Sequence, residues 1–314
     1  MPYAGYSPIS CHPLVERSPL GGERRRKVTR GRVVGVWRRG IRGSRKGRPD
    51  QPAGGIVPEQ TDSIAAGRRT APRRLVLVRH GQSLGNVADA EARKAGHGRL
   101  ALDYRDADTP LSDLGTEQAT ALGAHLARLP EAHRPEVILS SPYARARGTA
   151  ETALREAGLD HSLVLDERLR ERDLGIFDGL TGDGIRAEHP EEAERRTKVG
   201  KFYYRPPGGE SWCDVALRVR SVLADIRQEY ADEHVWIFSH QAVIMSFRLV
   251  LEGLDEEGII TIDNETPLPN CSMTSYDRAE DGSLELVAYA ETAALDDEGA
   301  QTTHEEPAAG EADA

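Results

Sequence analysis

LVLVRHGQSLGN, residues 75–86, decides how the rest of the chain is read. Together with Arg74, its opening residues form a continuous apolar run, the pattern of a strand covered on both faces in a parallel sheet. The run ends on Arg79 and His80 and turns at once through Gly81. A buried strand that finishes on two cationic side chains raises the question of what they meet there.

Moving outward, residues 112–129 place Leu114, Ala119, Leu122, Leu126 and Leu129 near helical spacing with Ser112 as N-cap. EVILSS (136–141) reads as a second strand, and a helix entered through Pro142 runs to a stop at Gly158. SLVLDE (162–167) reads as a third strand and residues 211–231 as a long amphipathic helix. HVWIFSH (234–240) reads as a fourth strand followed by a helix, and SMTSYD and LELVAYA as a closing pair. Alternating strands and helices predict an α/β three-layer sandwich, a mainly parallel sheet flanked by helices. Right-handed crossovers bring the strand C-termini to one edge, where such folds hold ligands. Arg79 and His80, Ser140 and Ser141, Glu171 and His240 all fall at or just after strand ends.

The flanks differ from this middle. Residues 1–74 carry 17 Lys/Arg against 5 Asp/Glu among scattered Gly and Pro, so a basic disordered tail is expected over residues 1–72. Residues 292–314 hold seven acids and no Lys or Arg, and a solvated, disordered tail is expected over 291–314. The middle that remains, residues 75–291, has a net charge of about −15, so an anion bound there needs a local cationic pocket. The basic segment admits a nucleic-acid arm, with Trp37 to stack on bases, or a start codon assigned too far upstream; a solvated tail is the simpler reading, and nucleic acid is not expected as a partner. Cys11, Cys213 and Cys271 have no metal-type spacing and are odd in number, which fits a reducing compartment and predicts a cytoplasmic location. No apolar run has the length of a membrane span, so no membrane partner is expected. The sequence leaves a homo-oligomer open.

The chain lacks a GxxxxGK[ST] loop, a dinucleotide glycine fingerprint after the first strand, HExxH and GxSxG, which removes nucleotide, zinc and serine-hydrolase readings. What remains at the strand ends is Arg79, His80, Arg145 and His240 with one acid, Glu171. Guanidiniums suit bidentate contact with tetrahedral oxyanions, and a neutral imidazole is a competent nucleophile toward phosphorus. Phosphoryl transfer through a phosphohistidine follows, with Glu171, its pKa raised by burial, protonating the leaving oxygen. No cofactor or metal is needed. Gln82 and Ser83 are candidates to offer backbone N–H groups to phosphate at a helix start. Arg147 reads as a solvated helix charge, and Arg170, Arg172 and Asp173 as surface ion pairs.

These motifs resemble the histidine phosphatase superfamily, with its phosphoglycerate-mutase-like fold. LVRHGQSLGN is similar to its signature, which implies His80 as the phosphorylated nucleophile, Arg79 as a phosphate ligand and Asn86 as the motif's asparagine. SSPYARARGTAET implies Arg145 as the second arginine, LRERDLGIFDGLT implies Glu171 as the acid, and VWIFSHQAV implies His240 as the second histidine. PNCSMTSYD is similar to the family's closing strand, so the likeness runs from about residue 73 to 290. KFYYRPPGGESWCD (201–214) resembles the fructose-2,6-bisphosphatase branch, as does HQAV at His240, and adds Tyr204, Arg205 and Gln241 as substrate contacts, with Glu210 in the first turn or cap of the next helix. No kinase P-loop domain is present, and Met245 stands where that branch commonly carries an arginine. A related set described as broad-range acid phosphatases shares the FYYRxPxGES run and is the preferred likeness. The expected activity is hydrolysis of phosphate monoesters of small metabolites; phosphoglycerate mutase or fructose-2,6-bisphosphatase activity is the alternative, and an inactive binding protein the alternative of another class. Residues 84–109 and 181–207 are expected to fold over the strand edge as lids that set substrate choice. Tyr203 and Trp212 could reach inward from there, although Trp212 suits core packing equally.

Overall fold

The computed structural model describes residues 71–305. The strands are β1 (Arg74–Arg79), β2 (Val137–Ser140), β3 (Leu163–Leu165), β4 (His234–Ser239), β5 (Met273–Arg278) and β6 (Leu284–Glu291). They form one sheet in the order β3-β2-β4-β1-β5-β6. The first four are parallel, and β5 and β6 add an antiparallel edge.

Helices cover both faces. On one side lie α2 (Asp113–Arg128) and α3 (Ala144–Ala157); on the other lie α6 (Trp212–Glu229) and α7 (Gln241–Leu251). The pleat of β1 explains why its sequence is apolar without alternation. Leu75 and Leu77 pack with Val215 and Val219 of α6 and Phe247 of α7, while Val76 and Val78 pack with Leu122 and Leu126 of α2 and Ala150 of α3. A strand with a helix layer on each face has no solvent side to make polar. The expected three-layer sandwich with a mainly parallel sheet is the fold of the chain.

Local signals set the helix ends. Ser112 accepts from the N–H of Gly115 as N-cap of α2, and Gly158 closes α3 in the left-handed conformation, φ 65°. The helices α1 (Leu84–Ala95), α4 (Gly182–Glu188), α5 (Pro190–Val199) and α8 (Glu256–Glu265) lie in the lids and in the link to β5. β3 is shorter than its six-residue sequence pattern, and Val164 and Leu165 are exposed because the strand is the sheet edge.

Two tail expectations need restating. The basic segment through residue 70 lies outside the described residues, and Ala71 already belongs to the core. The acidic C-terminal segment is a correction: it does not leave the fold at 291. A further helix, α9 (Ala293–Glu298), packs Leu295, fully buried, against Ala119, Ala121 and Cys271. One leucine and Ala294 suffice as an anchor, and the acids around them pair with Arg128. Residues 306–314 lie outside the described residues.

Candidate active site

The parallel pairing of β1 with β4 sets Arg79 opposite Ser239, and the N–H of His80 donates to the carbonyl of Ser239 at 3.0 Å. The residues that follow each strand, His80 and His240, are therefore neighbours, with ring centroids 5.1 Å apart and planes at 60°. The turn after His80 needs Gly81, because a Cβ there would sit 2.6 Å from the carbonyl oxygen of Gly115 at the start of α2. The Gly81 N–H donates to Thr149 Oγ1 at 2.9 Å, and that hydroxyl donates to the carbonyl of Arg145 at 2.7 Å. Motifs on β1 and α3 are thus joined through one threonine.

His80 and His240 are buried. Nδ1 of His80 lies 2.7 Å from the Gly81 carbonyl, which can only accept, so Nδ1 carries the proton and Nε2 keeps its lone pair. Nε2 of His240 meets Ser141 Oγ at 2.8 Å, and its Nδ1 is buried without a partner. Both imidazoles sit well below the usual histidine pKa, through burial first and then the Arg145 guanidinium; Arg79 lowers His80 further, and His80 and Arg79 lower His240 further. They are neutral at neutral pH.

Arg79 is almost fully buried; its Nη1 donates to the Leu268 carbonyl, and its Nε has no partner. Arg145 Nη1 is held by the carbonyl of Asp106 at 2.7 Å and its carboxylate at 2.9 Å, and the guanidinium lies 5.2 Å from the centre of the Tyr143 ring. That ring also meets His240 edge-on at 5.3 Å. Glu171 accepts from the N–H of Arg172 at 2.7 Å and faces the N–H of Ala242, in the first turn of α7, at 3.4 Å. Burial raises its pKa against the opposing pull of the Arg172 N–H and of Arg145 and Arg218. Its loop hangs on Glu210, which binds Arg170 at 2.7 Å, Arg218 at 3.1 Å and the N–H of Asp173 at 3.2 Å.

The five residues expected to converge do so. Arg79, His80, Arg145 and Glu171 line one cleft of about 660 Å3, and His240 touches His80 beside it. Among the expected substrate contacts, Asn86, Ser83 and Gln241 also line the cleft. Ser83 is committed elsewhere: it caps α1, and its N–H and hydroxyl both face Asn86 Oδ1. The Gln82 N–H donates to Gln118 Oε1 at 2.9 Å and its side chain accepts from Ser112, so the proposed backbone phosphate contact at this helix start is not formed by either residue. Tyr204 stacks on Phe177 and donates to Glu192 at 2.7 Å, lining a smaller adjoining chamber of about 180 Å3 rather than the main cleft. Arg205 is exposed and paired with Asp214 at 2.7 Å, away from both. Glu210 precedes the N-cap, which is Ser211.

Several cleft residues escape the sequence reading. Tyr143 stands inside the quoted SSPYARAR run, two residues before Arg145, and could have been found there. Arg172 lines the cleft because its segment is not an extended strand, so alternation does not apply. Lys201 and Asp263 form a buried pair at 3.1 Å, with Gln241 donating to Asp263 at 2.9 Å, a contact between distant segments with no local signature. Arg147, paired with Glu151 on α3, is the solvated charge expected. Trp212 is both things at once, packed in a core cluster and lining the cleft, whereas Tyr203 is exposed. The two lids meet: Thr181 N–H donates to the Gly98 carbonyl and Leu100 N–H to the Gly179 carbonyl, each at 3.0 Å. Among the described residues no helix is long and apolar enough to cross a membrane.

Known proteins share this arrangement. A family model described as histidine phosphatase superfamily (branch 1) matches residues 75–292. A 2,3-bisphosphoglycerate-dependent phosphoglycerate mutase of Methylobacterium radiotolerans is 34% identical over 200 residues, covering 63% of this chain and 87% of the relative. The solved structure of a mycobacterial glucosyl-3-phosphoglycerate phosphatase with inorganic phosphate is 28% identical, covers 71% of this chain and 99% of its own, and superposes with a TM-score of 0.54. With the sheet order, the paired imidazoles and a match running from β1 to the start of α9, the chain belongs to the histidine phosphatase superfamily.

Proposed function

We propose that the protein is a phosphatase that hydrolyses phosphate monoesters of small metabolites through a phosphohistidine at His80. The observation that carries this reading is a set of buried, unsatisfied groups around one nucleophile. Nε2 of His80 is the free ring nitrogen, and Nδ1 of His240 and Nε of Arg79 are buried without protein partners. Unpaired buried polar atoms cost about 1–3 kcal/mol each, and a phosphoryl group offers three acceptor oxygens that would relieve that cost.

In the first half-reaction Nε2 of His80 attacks phosphorus while Arg79 and Arg145 neutralise the equatorial oxygens and neutral His240 donates a hydrogen bond from Nδ1. The P–O bond to the leaving group breaks, and Glu171, whose pKa burial raises, gives its proton to the departing alkoxide. The resulting Glu171 carboxylate then takes a proton from water, the water oxygen attacks phosphorus, and the P–N bond breaks to return neutral His80 and release inorganic phosphate.

Hydrolysis is favoured over isomerisation by the charge of the cleft. Its lining has five cationic side chains, Arg79, Arg93, Arg145, Arg172 and Lys201, against seven carboxyl groups that include Asp89, Asp106, Asp173 and Asp178. A mutase must retain a doubly phosphorylated intermediate, and with Glu171 set aside as the proton donor six carboxylates still face the five cations, which leaves no surplus of positive charge to hold a second phosphate. The YYR run, which motivated a sugar-bisphosphatase likeness, builds lid contacts through Tyr204 to Glu192 and Arg205 to Asp214, so a broad range of monoesters suits the site better than one bisphosphate. Free Cys213 and Cys271, the latter with its thiol held protonated by burial, fit a cytoplasmic setting. Purified protein incubated with p-nitrophenyl phosphate and with 3-phosphoglycerate tests the assignment. Free phosphate from both supports it; isomerised phosphoglycerate without free phosphate overturns it.

A further inference from the structure

The chain folds its own carboxylate into the proposed phosphate site. Beyond α9 the backbone runs back toward the strand edge and is tied down on the way. Gln118 Nε2 donates to the Gln301 carbonyl at 2.8 Å and to Thr303 Oγ1 at 2.9 Å. The N–H of Asn270 donates to the Thr303 carbonyl at 2.8 Å, and Thr303 Oγ1 donates to Asn270 Oδ1 at 3.0 Å. Asn270 itself donates through Nδ2 to the carbonyl of His80 at 3.0 Å, so the arm is fixed to the residue proposed as nucleophile. Two residues later Glu305 places Oε1 3.2 Å from Arg79 Nη2 and against Nδ2 of Asn86. It lines the cleft with both of them.

Arg79 has three nitrogens, and their disposition matters. Nη1 is used by the Leu268 carbonyl and Nε is buried, so Nη2 is the nitrogen that Glu305 covers. A planar carboxylate with one charge satisfies this guanidinium less fully than a tetrahedral phosphoryl dianion, which has oxygens left for Arg145 and His240. The carboxylate has the advantage of its tether, because an arm already fixed at residues 301 and 303 presents Glu305 at a high effective concentration.

We propose that residues 299–305 are a built-in competitive inhibitor, with Glu305 occupying the phosphoryl position on Arg79 and Asn86 until substrate displaces it. This rests on the phosphatase reading of the site. Site closure by the arm lowers the fraction of protein open to substrate, and the apparent dissociation constant rises by the reciprocal of that fraction.

Titration of the full-length protein with inorganic phosphate, followed by calorimetry, separates the alternatives. The variants are Glu305→Gln, a chain ending at Gly299 that keeps α9, and Glu285→Gln, which removes one exposed charge on β6 as a control. An arm that covers the site nine-tenths of the time predicts phosphate binding about tenfold tighter in the first two and unchanged in the control. The KM for p-nitrophenyl phosphate should fall in parallel. Equal phosphate affinity in all four proteins overturns the inhibitory arm and leaves the phosphatase reading standing. Equal tightening in the control reduces the effect to net charge and also overturns it. If none of the four binds phosphate, the phosphate site itself is wrong and the arm's role falls with it.

Discussion

His80 Nδ1 and the Gly81 carbonyl oxygen lie 2.7 Å apart, a contact between consecutive residues that fixes which ring nitrogen can react. With the proton held on Nδ1, Nε2 is the only nitrogen of that ring able to bond to phosphorus. Radiolabelled substrate quenched in alkali should therefore yield an acid-labile phosphoryl adduct on the wild-type chain. His80→Ala should show no adduct and lose at least about 10³-fold in turnover. An undiminished adduct in that variant would place the nucleophile elsewhere.

Glu171 is needed only when the leaving group is poor. Glu171→Gln should cost about 10²- to 10⁴-fold in kcat toward alkyl phosphates, the range for losing a general acid. Toward p-nitrophenyl phosphate, whose phenolate leaves without a proton, the first step should hardly change, and a burst of nitrophenol followed by slow turnover should mark the loss of the base that activates water. Equal losses in the bursts of both substrates would assign the proton to another group.

Protonation of the two imidazoles couples stability to pH. Their native pKa values lie below the ordinary 6.5, so between those values and 6.5 the unfolded chain binds more protons than the native one. Their contribution is complete above 6.5 and is lost as pH falls through that window. Glu171 works in the opposite sense, since its raised native pKa makes the native chain hold the extra proton, and its contribution declines as pH rises from 4.5 to the native value. Thermal midpoints measured across acidic pH should drop steeply for the wild type and less for His80→Asn/His240→Asn. Parallel curves would show that the imidazoles titrate normally.

The lids join through glycine. A Cβ on Gly184 would stand 1.8 Å from the Gly98 carbonyl oxygen, backbone against backbone, so Gly184→Ala must push α4 away from the loop after α1. The expected cost is about 1–3 kcal/mol of stability, read by denaturant unfolding. KM for bulky monoesters should change more than KM for p-nitrophenyl phosphate, because the lid meets the part of the substrate beyond the phosphate. An unaltered substrate profile would remove the lids from specificity.

How much of this was legible depends on how local the signal is. The strand ends that carry Arg79, His80 and His240 declare themselves by an apolar run stopping on a cation, and Arg145 and Glu171 sit in motifs with their own short spacing. The two N–H groups expected to hold phosphate after His80 were misread, because their partners, Gln118 and Asn86, are set by how α1 and α2 pack and not by the residues beside them. Tyr204 and Arg205 misled for a related reason: a motif can be built for lid contacts as readily as for ligand contacts, and only their partners Glu192 and Asp214 tell which. The C-terminal segment was hidden by composition, since its many acids mask Leu295 and Ala294, the two side chains that dock it.

The pairing of Arg79 with Ser239 across β1 and β4 has an evolutionary corollary. Losing or gaining a single residue in either strand would turn one imidazole to the opposite face and erase the reaction in one step. Loops between 84–109 and 181–207 lie outside that ladder and can lengthen, shorten or be exchanged without moving the dyad. Descendants of such a chain would then be free to diverge in what they dephosphorylate while the chemistry itself stays locked in the middle of the sheet.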